Sequence, residues 1–398
     1  MMEKLNNYPN VLIHGFGGYG EDQKFNAVWN YWGKGDNNLL KHLRSEGYEV
    51  YSPNVGLVTG AWDRCCEIWA YLFGGTVDYG VAHSRECGHS RYGRTYEHGV
   101  LEDLGKTEEH KKMNLFGHSF GGTTVLLMQE LMTNGSEAER EATDPDDLSP
   151  LFAGGHGNLL HVVSTHTGVL NGTTMASFGK PFLPLLSSVM LGAMELLENT
   201  PFMKVLDMGQ QQFGLGAYPE ETPYGIGVNP PKQTLEGIKA YSKDGLDNIY
   251  QEMSIDFRQE NNQNIGVNPH VYYFANRTCA SKPGPNGHQI STEGVGSYCK
   301  PYAAVMNIIK PQSQVKSLTL DDSWAPHDGF VNVVGQSGPL NLPSEEGDFG
   351  MDFKPGIWYN MPILPHDHVF WNGWSAKPGE NFPIWDKLLE LYCSLPDA

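Results

Sequence analysis

The sequence predicts an α/β fold built on a mostly parallel sheet with helices on both faces. Three observations carry that prediction. Short apolar runs of strand length alternate with helix-like segments along the chain. One of them, Met113–Phe116, passes through a Gly-x-Ser-x-Gly turn directly into the helix-like stretch Thr123–Leu131. The chain is also large enough, at 398 residues with 39% hydrophobic content, for one large domain with insertions.

Taken in order, the first strand is Val11–Ile13, followed by a helix over Asn37–Glu46 and a strand at Glu49–Tyr51. Residues 60–97 are rich in Gly, Tyr, His and Cys and read as an insert. Strands resume at Met113–Phe116, His161–Ser164, His270–Phe274 and Lys316–Leu320. Segment 174–265 interrupts the alternation and reads as helical and irregular. Internal repeats and low-complexity tracts are absent from the sequence.

Composition narrows the functional classes. A formal charge of −19, from 27 basic and 46 acidic side chains, argues against nucleic acid and anionic membrane surfaces as partners. Any interface the chain meets should be neutral or apolar. No run is long and apolar enough to span a bilayer; Pro181–Leu197 comes nearest but carries two Pro, two Ser, a Gly and Glu195. A first strand beginning near Asn10 leaves no room for a signal peptide, so the expectation is a cytosolic protein or a mature secreted form. Secretion is favoured by tripeptides at Asn134, Asn171 and Asn276 that fit the N-glycosylation pattern. Of the six cysteines, Cys279 and Cys299 bracket a Gly/Pro-rich loop that a disulfide would close.

The Gly117-His118-Ser119-Phe120-Gly121 turn is where chemistry is expected. A sharp bend between strand and helix forces its middle residue into a strained conformation and lifts the Ser119 hydroxyl above the sheet edge. Glycine is required at 117 and 121 because a Cβ there would strike the neighbouring strand or helix. A serine hydroxyl attacks only when a base removes its proton, so Ser119 needs a histidine and an acid to orient it. On this fold they follow in the order Ser, Asp/Glu, His. Asp328, in His327-Asp328-Gly329 after a predicted strand, is the acid candidate, and His366 and His368 are the histidines beyond it. An oxyanion forming on the substrate needs fixed N–H donors. Phe120, directly after the nucleophile, supplies one, and Phe16 in the glycine-rich loop His14–Gly18 supplies the other.

Taken together, these residues resemble the large zinc-containing bacterial lipases of family I.5, the thermoalkaliphilic and staphylococcal type, within the α/β-hydrolase superfamily. The likeness runs through His14-Gly15-Phe16, Gly60-Ala61-Trp62-Asp63-Arg64, Gly75–His83, His89–Tyr96, the serine motif, Asp328–Asn332 and Asp367-His368. It implies one α/β-hydrolase domain over 1–398, with a zinc-binding insert at 60–97 and a lid and helical cap in 174–265. It selects His368 as the base over His366. It implies a structural zinc held by two His and two Asp, matched directly at Asp63, His83 and His89. The fourth ligand aligns best with Glu252, one methylene longer than the family's Asp, with Asp256 as the fallback. The resemblance also implies a calcium near the catalytic histidine, but the acid two residues beyond that histidine is Phe370 here, so the calcium site is expected to be altered or lost. Phe120 replaces a common Gln, making the pocket beside it more apolar. The apolar segment 181–197 fits the family's lid.

The expected activity is therefore carboxylester hydrolysis through an acyl-enzyme, with a triacylglycerol lipase acting on neutral lipid or ester at an oil–water interface as the leading reading. The alternatives are an esterase or phospholipase on the same triad, or a hydrolase-fold protein that binds without catalysis.

Overall fold

The computed structural model describes residues 3–23, 26, 29–33, 35–178, 247–310 and 315–398. The expected lid, 181–197, lies outside the described residues, as does most of the expected cap.

Seven strands form one parallel sheet: β1 (Asn10–Ile13), β2 (Val50–Tyr51), β5 (Met113–His118), β6 (Leu160–His166), β7 (Tyr272–Asn276), β10 (Ser344–Glu346) and β11 (Trp358–Asn360). Their order is β10-β11-β7-β6-β5-β1-β2, and every pairing in it is parallel. Two small antiparallel ribbons stand apart: β3 (Gly75–Asp78) with β4 (Tyr92–Tyr96), and β8 (Ser281–Pro283) with β9 (Gln289–Ser291).

Strand residues alternate between two buried faces, as the two-residue period of a strand demands. Val11, Ile13, Leu115, Val163 and Tyr273 pack with α2 (Ala61–Phe73) and α4 (Phe120–Asn134) on one side. Leu12, Phe116, Val162 and Phe274 face the other side, against α1 (Leu39–Ser45) and the C-terminal helix Phe382–Ser394. That helix contributes Trp385, Leu388 and Tyr392 to this layer. Each such large side chain stabilises the fold by about 1.5–3 kcal/mol relative to exposure, before chain entropy is counted.

The chain winds outward from β1 in two directions, to β2 on one side and β5 on the other. The carboxyl ends of β1 and β5 thus lie side by side at the point where the winding reverses, with Ile13 opposite Gly117. Loops leaving neighbouring strands there diverge and open a crevice, the usual binding place of an open parallel sheet.

Several expectations need correction. Lys316–Leu320 is not a strand: its apolar alternation finds no sheet partner, and Ser317 is instead held by Asp256 through main-chain and hydroxyl bonds of 2.8 and 2.7 Å. The sheet is completed by β10 and β11, three residues each. No disulfide joins Cys279 to Cys299; all six cysteines are free thiols. Cys299 is buried among Ala280, Val295, Ala303 and Val369, whereas the Cys279 thiol donates to the Ser281 carbonyl. Two of the three glycosylation-type asparagines are buried with their amides engaged. Asn171 donates to the carbonyls of Val334 and Ser337, and Asn276 donates to Ser164 and to the Thr165 carbonyl. A glycan on either would have no exit, so neither bears on secretion. Among the described residues no helix is long and apolar enough to cross a membrane.

Candidate active site

Ser119 sits at φ 58° and ψ −127°, one of three non-glycine residues with positive φ among those described. Its neighbours make that strain tolerable. A Cβ on Gly117 would lie 2.2 Å from the Gly121 carbonyl oxygen, and one on Gly121 would lie 2.3 Å from that of Ile13. The bend is pinned by the Ser119 N–H donating to the His166 carbonyl and by the Ser119 carbonyl accepting from Gly122 and Val169. The hydroxyl therefore has a fixed origin above the end of β5.

Three sequence-nominated side chains meet there. The Ser119 hydroxyl lies 2.8 Å from His368 Nε2, and His368 Nδ1 lies 2.8 Å from Asp328 Oδ2. Asp328 is fully buried, and the main-chain N–H groups of Phe330 and Val331 donate to its Oδ1 at 2.9 and 2.8 Å. Gln336 donates to its Oδ2 at 3.1 Å. The acid is thus clamped so that one oxygen faces the imidazole. His368 is also fixed through its backbone, its N–H donating to the Asp328 carbonyl. The reserve histidine, His366, points elsewhere, its ring stacked at 3.7 Å on Phe370. Phe370 is buried, and its side chain offers no oxygen.

Phe16 follows β1 and lines the cleft with Ser119, and Phe120 opens α4. Among the described residues, neither amide takes part in the loop and turn hydrogen bonds around it. Close approach of the two loops depends on Gly15, where a Cβ would fall 2.6 Å from that of Ser119. The peptide joining Gly15 to Phe16 is held from behind. Val55 N–H donates to His14 Nε2, so His14 carries its proton on Nδ1 and donates to the Gly15 carbonyl at 2.9 Å. Burial and the nearby Arg64 cation press His14 well below the usual imidazole range, keeping it neutral. Arg64, wholly buried, donates to the His14 carbonyl and lies over the Phe120 ring.

The cleft over Ser119 is mostly apolar. Met175, Met253, Tyr302, Phe330, Val369 and Trp374 are among its lining residues.

A second cluster lies in the insert. Asp63 on α2, His83 on α3 (Val81–Cys87), His89 just beyond it and Asp247 present ligand atoms within 4.8 Å of one another. His83 Nε2 stands 3.1 Å from Asp63 Oδ1 and 3.9 Å from Asp247 Oδ2, and His89 Nε2 stands 3.7 Å from Asp63 Oδ1. The His89 Nδ1–H donates to the Ser90 carbonyl at 2.9 Å, which turns the Nε2 lone pair inward as a metal ligand requires. Trp62 stacks on the His83 ring at 5.1 Å. Burial pulls the His83 imidazole down, but Asp63, Cys87 and Asp247 together lift it to about 11. Burial, reinforced by the Asp63 carboxylate, pushes Asp247 well above the usual carboxyl range. Two buried carboxylates facing two imidazoles form a donor set that suits a divalent ion.

The structure brings Asp247, not the nominated Glu252, into this cluster as its fourth member. Both Glu252 oxygens accept from the Ala61 N–H, at 3.2 and 3.1 Å, so that carboxylate caps α2. The fallback, Asp256, is engaged with Ser317. Asp247 reaches the cluster because Asn248 bridges to Thr59, just ahead of α2. Cys87, also overlooked in the sequence, places its sulfur 3.8 Å from His83 Nδ1.

Comparison with known proteins places the chain in a family. The family model described as "Lipase-like, C-terminal domain" matches residues 6–380. Lipase 2 of Staphylococcus aureus is 30% identical over 378 residues, covering 92% of this chain and 50% of the relative. The chain thus spans about half the length of the curated relatives it matches. Among solved structures, EstA from Clostridium botulinum is 32% identical with a TM-score of 0.84, covering 100% of this chain and 90% of that one. Lipase 1 from Pelosinus fermentans is 32% identical with a TM-score of 0.78, covering 99% of this chain and 100% of that one.

Proposed function

Since the chain belongs to the family of lipase-like C-terminal domains, we propose that it is a serine carboxylester hydrolase, and specifically a triacylglycerol lipase. The observation that carries this reading is the unbroken relay from the Ser119 hydroxyl through His368 to Asp328, with bonds of 2.8 Å on each side of the imidazole.

In this reading Ser119 attacks the ester carbonyl while His368 Nε2 takes its proton. The Asp328 carboxylate keeps the other imidazole proton on Nδ1 and stabilises the imidazolium. The Phe16 and Phe120 N–H groups receive the oxyanion, and the positive end of α4 adds to them. His368 then returns its proton to the departing alcohol, leaving an acyl-enzyme. Water, deprotonated by the same imidazole, releases the acid. An apolar cleft and a net charge of −19 favour an uncharged ester with an apolar acyl chain over an anionic lipid surface.

The second cluster is assigned to a structural zinc, with Asp63, His83, His89 and Asp247 as its holders. Bound metal would neutralise the buried carboxylates and tie α2 and α3 to the segment that carries Asp247.

Release of p-nitrophenol from an ester series of rising acyl length, in solution and as an emulsion, tests the assignment. A lipase gains rate on long chains and on the emulsion. Hydrolysis confined to acetate would favour the esterase alternative.

A further inference from the structure

Two buried side chains between the oxyanion loop and the base are not used in the chemistry above. The Gly15 N–H donates to the Tyr31 hydroxyl at 2.8 Å, and that hydroxyl lies 2.6 Å from His118 Nδ1. On its other side, His118 Nε2 lies 2.9 Å from the carbonyl oxygen of His368. Proton positions along this path follow from its ends. A carbonyl oxygen only accepts, so His118 carries its proton on Nε2 and donates to His368. Nδ1 is then an acceptor and takes the Tyr31 proton, which leaves a Tyr31 lone pair for Gly15. Each donor meets one acceptor, and the path runs in a single direction.

We infer that Tyr31 and His118 are positioning residues that lock the loop bearing the Phe16 donor to the main chain of the catalytic histidine. The two halves they join are remote in sequence, one leaving β1 and the other belonging to a loop near the carboxyl terminus. The Trp374 indole N–H also ties them, donating to the carbonyls of Tyr31 and Asn30 at 3.0 and 3.3 Å, but that tie ends on the Tyr31 backbone, whereas the Tyr31–His118 path reaches the Gly15 N–H beside the Phe16 donor. Catalysis requires that the distance between the oxyanion donor and the imidazole be held to a few tenths of an ångström. The path fixes both ends at main-chain atoms, which side-chain rotation cannot relax. Burial, with the His368 ring 5.2 Å away, presses the His118 imidazole down to about 3, so it stays neutral and retains its accepting Nδ1 near neutral pH.

This inference rests on the serine-hydrolase reading for its kinetic consequence, but its hydrogen-bond pattern can be tested without it. Tyr31→Phe keeps the ring and deletes the relay. It should lower kcat on a soluble p-nitrophenyl ester, and the rate of fluorophosphonate labelling, by about 10- to 100-fold with KM nearly unchanged. His118→Gln, whose amide can both accept and donate, should retain much of the rate that His118→Leu loses. The double variant Tyr31→Phe/His118→Leu should be no slower than the slower single one, because both break one path. Undiminished kcat in a folded Tyr31→Phe protein, or a rise in KM alone, would overturn the inference. Nitrogen-15 spectra of histidine-labelled protein give an independent readout. The wild type should show His118 protonated on Nε2, with an Nδ1 resonance that moves in Tyr31→Phe. A His118 proton on Nδ1 sinks the relay whether or not Ser119 reacts, whereas failure of wild-type Ser119 to label sinks the functional reading and leaves these spectra to judge the relay.

Discussion

Replacing Asp328 by Asn tests the triad at the point where the structure leaves least freedom. The substitution is isosteric, so its effect comes from the exchange of one acceptor for a donor. Two main-chain N–H groups, of Phe330 and Val331, point at Oδ1 from 2.9 and 2.8 Å. They select the amide oxygen of Asn for that place and turn its NH2 towards His368 Nδ1, 2.8 Å away. Facing a donor, Nδ1 must give up its proton and become an acceptor. The remaining imidazole proton then sits on Nε2, towards the Ser119 hydroxyl, where no base is left. Flipping the amide would restore the tautomer but set its NH2 against both main-chain donors, at about 1–3 kcal/mol for each buried N–H left unsatisfied. The inverted tautomer is the cheaper outcome. Loss of the correct tautomer in an otherwise intact triad costs about 10⁴ in kcat, or about 5 kcal/mol of barrier. Stability should fall by about 1–3 kcal/mol, because the Gln336 amide, 3.1 Å from Oδ2, would face another donor. The assay is the pre-steady-state burst of p-nitrophenol, with a melting curve on the same sample. A folded Asp328→Asn protein that keeps more than about a tenth of the wild-type acylation rate would refute the orienting role assigned to this carboxylate.

Gly15→Ala should depress acylation by more than about 100-fold, because the added Cβ would sit 2.6 Å from that of Ser119; wild-type burst rates in a folded variant would contradict the loop approach. Asp247→Asn should abolish zinc retention on dialysis and the fall in melting temperature caused by a chelator, whereas Glu252→Gln should keep the metal but weaken α2, and the reverse pattern would restore Glu252 as the ligand. Acid should destabilise the fold, because burial holds His118 near 3, and His161 and His327 near 4, an effect that Glu67, lifted to about 8 by burial, offsets in part. These histidines are neutral when folded but take protons when unfolded, below the ordinary imidazole value of about 6.5, so stability is full above that pH and falls as pH drops towards 4. Each contributes about 1.4 kcal/mol per pH unit in that window, and a melting temperature that stays flat from pH 7 to 5 would count against it.

How much of this was legible in the sequence depended on the range of the interactions involved. The elbow at Ser119 was readable because strand, glycines and helix are contiguous, and the collisions that demand Gly117 and Gly121 arise within that unit and its neighbouring strand. The choice between His366 and His368 needed the family resemblance, since two histidines two residues apart look alike until the stacking of His366 on Phe370 is seen. Asp247 was invisible because a single long-range bridge, Thr59 to Asn248, brings it over α2. Glu252, nominated in its place, illustrates a related ambiguity: a buried carboxylate beside the cluster is as well explained by capping α2 as by ligating an ion. The strands β10 and β11, three residues each, are too short to carry a period, whereas Lys316–Leu320 carries one with no edge to pair against. Asparagine tripeptides and a cysteine pair around a loop are local patterns that say nothing about tertiary surroundings: Asn171 and Asn276 are buried, and Cys279 and Cys299 are free thiols.

The central claim is that Ser119 is made nucleophilic by His368. Incubation with a fluorophosphonate, followed by mass mapping of the labelled peptide, tests it most directly. The account predicts a single adduct on Ser119 in the wild type, formed orders of magnitude more slowly in a folded His368→Ala variant. An adduct on another residue, or labelling of Ser119 at the same rate without the imidazole, would contradict it.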